Sequence, residues 1–181
     1  MFKKSIKFFA TTVLLFFVTI PAQAQDLMPR RNGASITEQI ERAAFRPSQL
    51  KVDIVPDVLS YAFQFRGVPY RYGAASPRGF DCSGFTSYVF KKFGIKLDRR
   101  ANYQIYNGRK VERNELRPGD LVFFAGRGGG KAIGHVGIVT KVDVSGGFNF
   151  IHASVNRGIT ESHISETYYT PRYRGACRVI D

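Results

Sequence analysis

Cys82 opens a segment whose apolar residues Phe85, Val89, Phe90 and Phe93 recur at helical spacing until Gly94 ends the run. A thiol therefore stands at the start of a helix expected over Cys82 to Phe93. An earlier helix is expected after Pro56, with Asp57 as N-cap, Val58, Tyr61, Ala62 and Phe65 on one face, and Gly67 at the C′ position. A short third helix is expected over Arg100 to Tyr106. The period then changes. Leu116-Arg117-Pro118-Gly119-Asp120 signals a turn, and strands are expected at Leu121–Phe124, Ile133–Val142, Phe148–Ala153 and Tyr173–Ile180. Ser145-Gly146-Gly147 reads as a turn and Gly126–Lys131 as a flexible loop. The loop lacks the spacing of a phosphate-binding loop. Helices first and hairpin-linked strands after argue for an α+β fold with an antiparallel sheet.

The first residues read as an export signal. Lys3, Lys4 and Lys7 precede the apolar run Phe8–Ile20, and Ala22-Gln23-Ala24 fits a small-x-small cleavage site. The apolar run is shorter than the roughly 20 residues a membrane-spanning helix needs. Residues 1–24 are thus expected to be a signal peptide, leaving no transmembrane span in the mature form. Residues 25–50 are expected to form an N-terminal arm with a short helix, opened by the capping box Ser35-Ile36-Thr37-Glu38. Residues 51–181 form one domain. The expected location is the periplasm or cell envelope, with release to the medium an alternative. The chain carries a formal charge of +13, of which the three signal lysines account for 3, leaving +10. That excess suits an anionic envelope surface. No nucleic-acid recognition motif accompanies it, so nucleic acid is not expected as a partner.

Only two cysteines are present, Cys82 and Cys177. On strand alternation Cys177 is expected on one face with Tyr173 and Val179, as a small core residue. A bridge to Cys82 would consume the one thiol placed for chemistry. His135 and His152 both fall on expected strands. A thiol can be activated by a helix N-terminus and a neighbouring imidazole. An imidazole needs a polar partner to orient it, for which His152 is the candidate. First-turn amides such as that of Cys82 can stabilise an oxyanion. The same residue types also occur as core or surface residues, and zinc is another use of them. No Cys-x-x-Cys or His-x-x-x-His pairing supports a metal site. His163, in Glu161-Ser162-His163, reads as a surface residue.

Five segments together carry a resemblance: Pro69-Tyr70-Arg71-Tyr72-Gly73, Phe80-Asp81-Cys82-Ser83-Gly84-Phe85, Arg117-Pro118-Gly119-Asp120-Leu121-Val122-Phe123-Phe124, Gly134-His135-Val136-Gly137-Ile138 and Ile151-His152-Ala153-Ser154. In this order they resemble the NlpC-type bacterial cell-wall cysteine peptidases. The resemblance implies a permuted, minimal papain-like fold, with N-terminal helices packed on a small antiparallel sheet. It implies Cys82 as nucleophile, His135 as base, His152 as the orienting residue and Tyr70 beside the nucleophile. It places Asp81 and Ser83 at positions that contact the stem peptide of peptidoglycan. The implied substrates are amide bonds from D-glutamate to diaminopimelate, or from diaminopimelate to D-alanine, cut without a cofactor. A monomer is expected. The segment Asp98–Gln104 keeps an Arg and a Gln but lacks a Ser or Thr typical of relatives. A catalytically silent wall-binding domain and a secreted amidase effector are the rival functions.

Overall fold

The structure, a computed structural model, describes residues 52–181. The expected signal peptide and arm lie outside the described residues. Helix α1 (Val55–Phe63) leads, followed by the short hairpin β1 (Ala75–Ser76) and β2 (Gly79–Phe80), then α2 (Cys82–Lys91) and α3 (Ala101–Gln104). Strands β3 (Arg109–Val111), β4 (Leu121–Ala125), β5 (Ile133–Val142), β6 (Phe148–Ser154), β7 (Gly158–His163) and β8 (Tyr173–Arg178) follow. They form one six-stranded sheet in the order β3-β8-β4-β5-β6-β7, with every neighbouring pair antiparallel. This is the α+β, papain-like arrangement.

Helix α1 begins two residues before its expected cap. Pro56 lies in the first turn, where its missing N–H costs nothing. Asp53, not Asp57, accepts the Val55 N–H, at 3.0 Å. Asp57 lies inside the first turn, where a negative charge still suits the helix dipole. Helix α2 starts at Cys82 as expected, because Asp81 caps it: the Asp81 Oδ1 accepts the Gly84 N–H at 2.6 Å. Helix α3 is shorter than expected. Its Gln104 is fully buried and tied by Nε2 to the Ser83 carbonyl at 3.0 Å and the Asp98 carbonyl at 2.7 Å. It fastens the end of α3 against the start of α2.

The sheet is covered on both faces, which is why every residue of β4 is buried. On one face Phe85, Val89 and Phe90 of α2 pack on Leu121, Phe123 and Val136. On the other, Val122, Phe124, Phe148 and Phe150 pack with Ile164 and Tyr169. Cys177 is fully buried in the helix-side core, as expected, and both cysteines are free. Tyr173 does not share its face. Phe123 opposes Gly175 while Phe124 opposes Tyr173, so the register shifts by one and Tyr173 joins the opposite core. Strands β3 and β7 were not signalled in the sequence: β7 (Gly-Ile-Thr-Glu-Ser-His) is a polar strand at the sheet edge. His163 is partly exposed, its Nε2 2.9 Å from Asp143 Oδ2, pinning the β5–β6 turn.

Gly84 shows how tightly α2 is seated. A Cβ there would collide with the Ala74 carbonyl oxygen and lie 2.9 Å from Asp81 Oδ1. Gly84→Ala is expected to destabilise the fold by about 1–3 kcal/mol, the usual range for overpacking. A denaturant melt checks this; an unchanged midpoint would mean the hairpin yields freely.

Candidate active site

Five of the residues singled out above converge around one end of α2. Asp81 caps the helix and Cys82 is its first residue, 8% exposed. Cys82 Sγ lies 3.9 Å from the carbonyl oxygen of Gly134, the residue preceding His135 on β5. Cys82, His135 and Tyr70 all line a cleft of about 780 Å³. Tyr70 is brought there by a bridge to Phe80 at the end of β2. Gly126 and Arg127 of the glycine-rich loop form part of the rim, as do Arg157, Glu166 and Tyr168.

His135 is half-buried, and its Nε2 lies 2.9 Å from Nδ1 of His152 on the neighbouring strand β6. The two rings stand nearly perpendicular, at 87°. His152 is fully buried, and its Nε2 faces the Ser162 hydroxyl at 3.2 Å and the Tyr169 hydroxyl at 3.3 Å. His135 Nε2 is thus committed to His152, which leaves Nδ1 for proton transfer.

The electrostatics run against an acidified thiol in the free protein. Burial, and then the Asp81 carboxylate, push the Cys82 thiol up, against the backbone amides of Val136, Ser83 and Cys82 itself. The expected help from the helix N-terminus is outweighed by desolvation. Burial pulls His135 from the ordinary 6.5 down to about 4. His152 is lowered as well, first by burial, then by His135 and Arg157. Burial raises the Tyr70 hydroxyl, with Cys82 and Asp81 adding to it and Arg127 opposing.

Between about pH 6.5 and 4 the unfolded chain binds protons at these two histidines that the folded protein refuses. Their contribution to stability is complete above pH 6.5 and is lost as the pH falls toward 4. The melting temperature is expected to drop between pH 7 and 5, where most carboxylates remain ionised, and His152→Asn should flatten that slope. A midpoint constant across this window in the unaltered protein would contradict it.

Asp81 and Ser83 do not line the cleft. Asp81 accepts two N–H groups from Arg99, at 2.9 and 2.6 Å, besides capping α2, and Ser83 Oγ accepts from Arg99 at 3.2 Å. Both side chains have partners within the fold. Sequence reasoning missed Arg157, Ser162, Glu166 and Tyr169. They lie on an edge strand and irregular segments with no periodic signal, and only the fold brings them to His152. Among the described residues no three His, Cys, Asp or Glu side chains gather in a way that could hold a metal ion. Among the same residues no helix is long and apolar enough to cross a membrane.

The scaffold and the cysteine-headed helix beside paired histidines define a papain-like thiol-peptidase class. Residues 67–178 match the model of the NlpC/P60 family. The chain is 33% identical over 181 residues to the murein DD-endopeptidase MepS/murein LD-carboxypeptidase of Escherichia coli K12, covering 98% of this chain and 92% of that one. It is 43% identical over 94 residues to the bifunctional muramidase/DL-endopeptidase CwlT of Bacillus subtilis 168, covering 51% of this chain and 29% of the relative. A crystal structure of an NlpC/P60 family protein from Bacillus cereus superposes with a TM-score of 0.64 at 32% identity, over 70% of this chain and 40% of that one. The chain belongs to the NlpC/P60 family of cysteine peptidases.

Proposed function

We propose that this protein is an exported cysteine endopeptidase that hydrolyses amide bonds in peptidoglycan stem peptides or their crosslinks. The observation that carries this reading is the placement of Cys82 at the head of α2 in one cleft with His135, itself bonded to His152. In this reading Cys82 is the nucleophile. Its proton passes to His135 Nδ1 as sulfur attacks the amide carbonyl, so the neutral thiol of the free protein need not ionise beforehand. The Cys82 backbone N–H and the Tyr70 hydroxyl donate to the oxyanion. The C–N bond then breaks, His135 protonates the leaving amine, and water activated by His135 releases the acyl group and restores the thiol.

Substrate charge supports the choice of wall peptide. Arg127 lines the cleft and matches the carboxylate at the side-chain centre of diaminopimelate, which stays free whichever of the two bonds is cut. Both candidate bonds, D-glutamate to diaminopimelate and diaminopimelate to D-alanine, place that residue beside the scissile amide. The near end-to-end similarity to a DD-endopeptidase favours the crosslink; the CwlT likeness keeps the DL bond as the second reading. Asp81 and Ser83 act from behind, holding Cys82 in place while their partner Arg99 reaches the surface. The +10 mature charge supplies attraction to an anionic wall. Purified peptidoglycan treated with the protein, and with Cys82→Ala, tests both levels by mass spectrometry. Crosslinked dimers falling to monomers identify a crosslink endopeptidase, and loss of the diaminopimelate-containing half of the stem identifies the DL activity. No Cys82-dependent product would turn the reading toward a wall-binding role.

A further inference from the structure

Two imidazoles joined by one hydrogen bond are nearly equivalent hosts for a proton. A histidine oriented by an amide or a carboxylate does not share this ambiguity. When His135 takes the Cys82 proton, the cation can remain there or pass across the 2.9 Å bond to His152 Nδ1. If it passes, the thiolate loses its neighbouring charge and His135 becomes a weaker acid toward the leaving amine. For the cation to stay, His135 Nε2–H must donate to a bare His152 Nδ1. The single proton of His152 must then sit on Nε2.

The structure supplies the acceptors and a source of asymmetry at that nitrogen. Ser162 Oγ and Tyr169 OH lie within 3.2 and 3.3 Å of His152 Nε2. Ser162 Oγ also accepts from Arg157 Nη2 at 2.6 Å. Arg157 is a permanent cation and donates only. It is bonded through Ser162 to the ring nitrogen of His152 opposite the one that meets His135. Glu166 holds it in place, with Oε2 3.4 Å from Arg157 Nη2 and Oε1 accepting the His163 N–H at 3.0 Å. The His152 ring also packs near Phe150, at 5.0 Å between ring centroids, and Thr160 is its cross-strand partner. Of the groups bonded to His152, directly or through Ser162, Arg157 is the permanent cation, and His135, at the other ring nitrogen, becomes cationic on taking the Cys82 proton.

We propose that Arg157, acting through Ser162, breaks the symmetry of the histidine pair: it opposes positive charge on His152 and confines the imidazolium to His135. Arg157 is a positioning residue here. The proton that moves comes from Cys82 and leaves with the amine, and Arg157 neither gains nor loses one. The proposal rests on the peptidase reading of Cys82 and His135.

The test uses purified, exported protein with 15N-labelled histidine. In the unaltered protein, His152 should show a proton on Nε2 only, and His135 should be the first of the two rings to become doubly protonated as the pH falls. In Arg157→Gln, double protonation of His152 should appear at higher pH than in the unaltered protein. The acidic limb of the kcat/KM profile should move to higher pH, because the pair then holds a proton more tightly. kcat/KM should fall about tenfold, the weight of one pKa unit. Arg157→Lys keeps the charge and should restore rate and profile. A proton on His152 Nδ1 in the unaltered protein would overturn the proposal without any variant. So would an Arg157→Gln enzyme with unchanged profile and rate. If the ring protonation is asymmetric as described but no variant turns over peptidoglycan, the peptidase reading fails and the assignment of the pair stands.

Discussion

Cys82→Ala is expected to abolish release of peptidoglycan fragments, a loss on the order of a millionfold in kcat, as when the nucleophile of a hydrolytic triad is removed. Alanine keeps the methylene and discards the sulfur, so the helix-side core changes little. Because Asp81 caps the helix through its own carboxylate, α2 does not depend on the thiol. The variant should therefore melt close to the unaltered protein while showing no product by mass spectrometry. His135→Ala should cost a similar factor, and the double variant should be no worse than either single one, since the two act as a unit. Cys82-independent turnover would remove the mechanism; a Cys82→Ala protein that unfolds would show instead that the thiol is structural.

Asp120→Ala should be the most damaging change to stability. Asp120 is 1% exposed and its carboxylate takes Arg178 Nε at 2.7 Å and Nη2 at 2.8 Å, with the Arg117 N–H added at 2.8 Å. The pair joins the turn before β4 to β8 in the middle of the sheet. Removing the carboxylate leaves a guanidinium, itself almost fully covered, without its counter-charge. Breaking a buried pair from one side costs about 3–5 kcal/mol. For a domain of this size that lowers the melting temperature by about 10–20 °C. Replacing both partners with apolar residues should recover much of the loss, because the desolvation cost of the charges disappears with them. Calorimetry of the two variants checks the pair; a single variant within about 0.5 kcal/mol of the parent, the size of an ordinary surface effect, would mean that water reaches the site.

Much of the scaffold was legible because its signals are local. The spacing of Phe85, Val89 and Phe90 defined α2, and strand β5 falls over the expected Ile133–Val142. The misses have physical causes of longer range. A bulge opposite Phe123 and Phe124 turned Tyr173 to the other face, and strand alternation has no means of announcing it. Strand β7 closes the sheet edge and carries Ile159 as its one large apolar residue, so it lacks the apolar pattern of a central strand. Asp57 looked like a cap because Pro56 precedes it, yet proline is at home inside the first turn.

By itself the sequence determined that a thiol heads a helix, that two histidines ride on strands and that the order of motifs is that of an NlpC-type chain. These properties rest on neighbours within a few residues. Only the tertiary structure decided that Asp81 and Ser83 turn inward to Arg99, that burial sets the thiol and imidazoles against early ionisation, and that Ser162 and Tyr169 meet the far nitrogen of His152, with Arg157 bonded to Ser162. Desolvation and cross-strand hydrogen bonds depend on what lies within a few ångströms in space, and strands distant in the chain supply it.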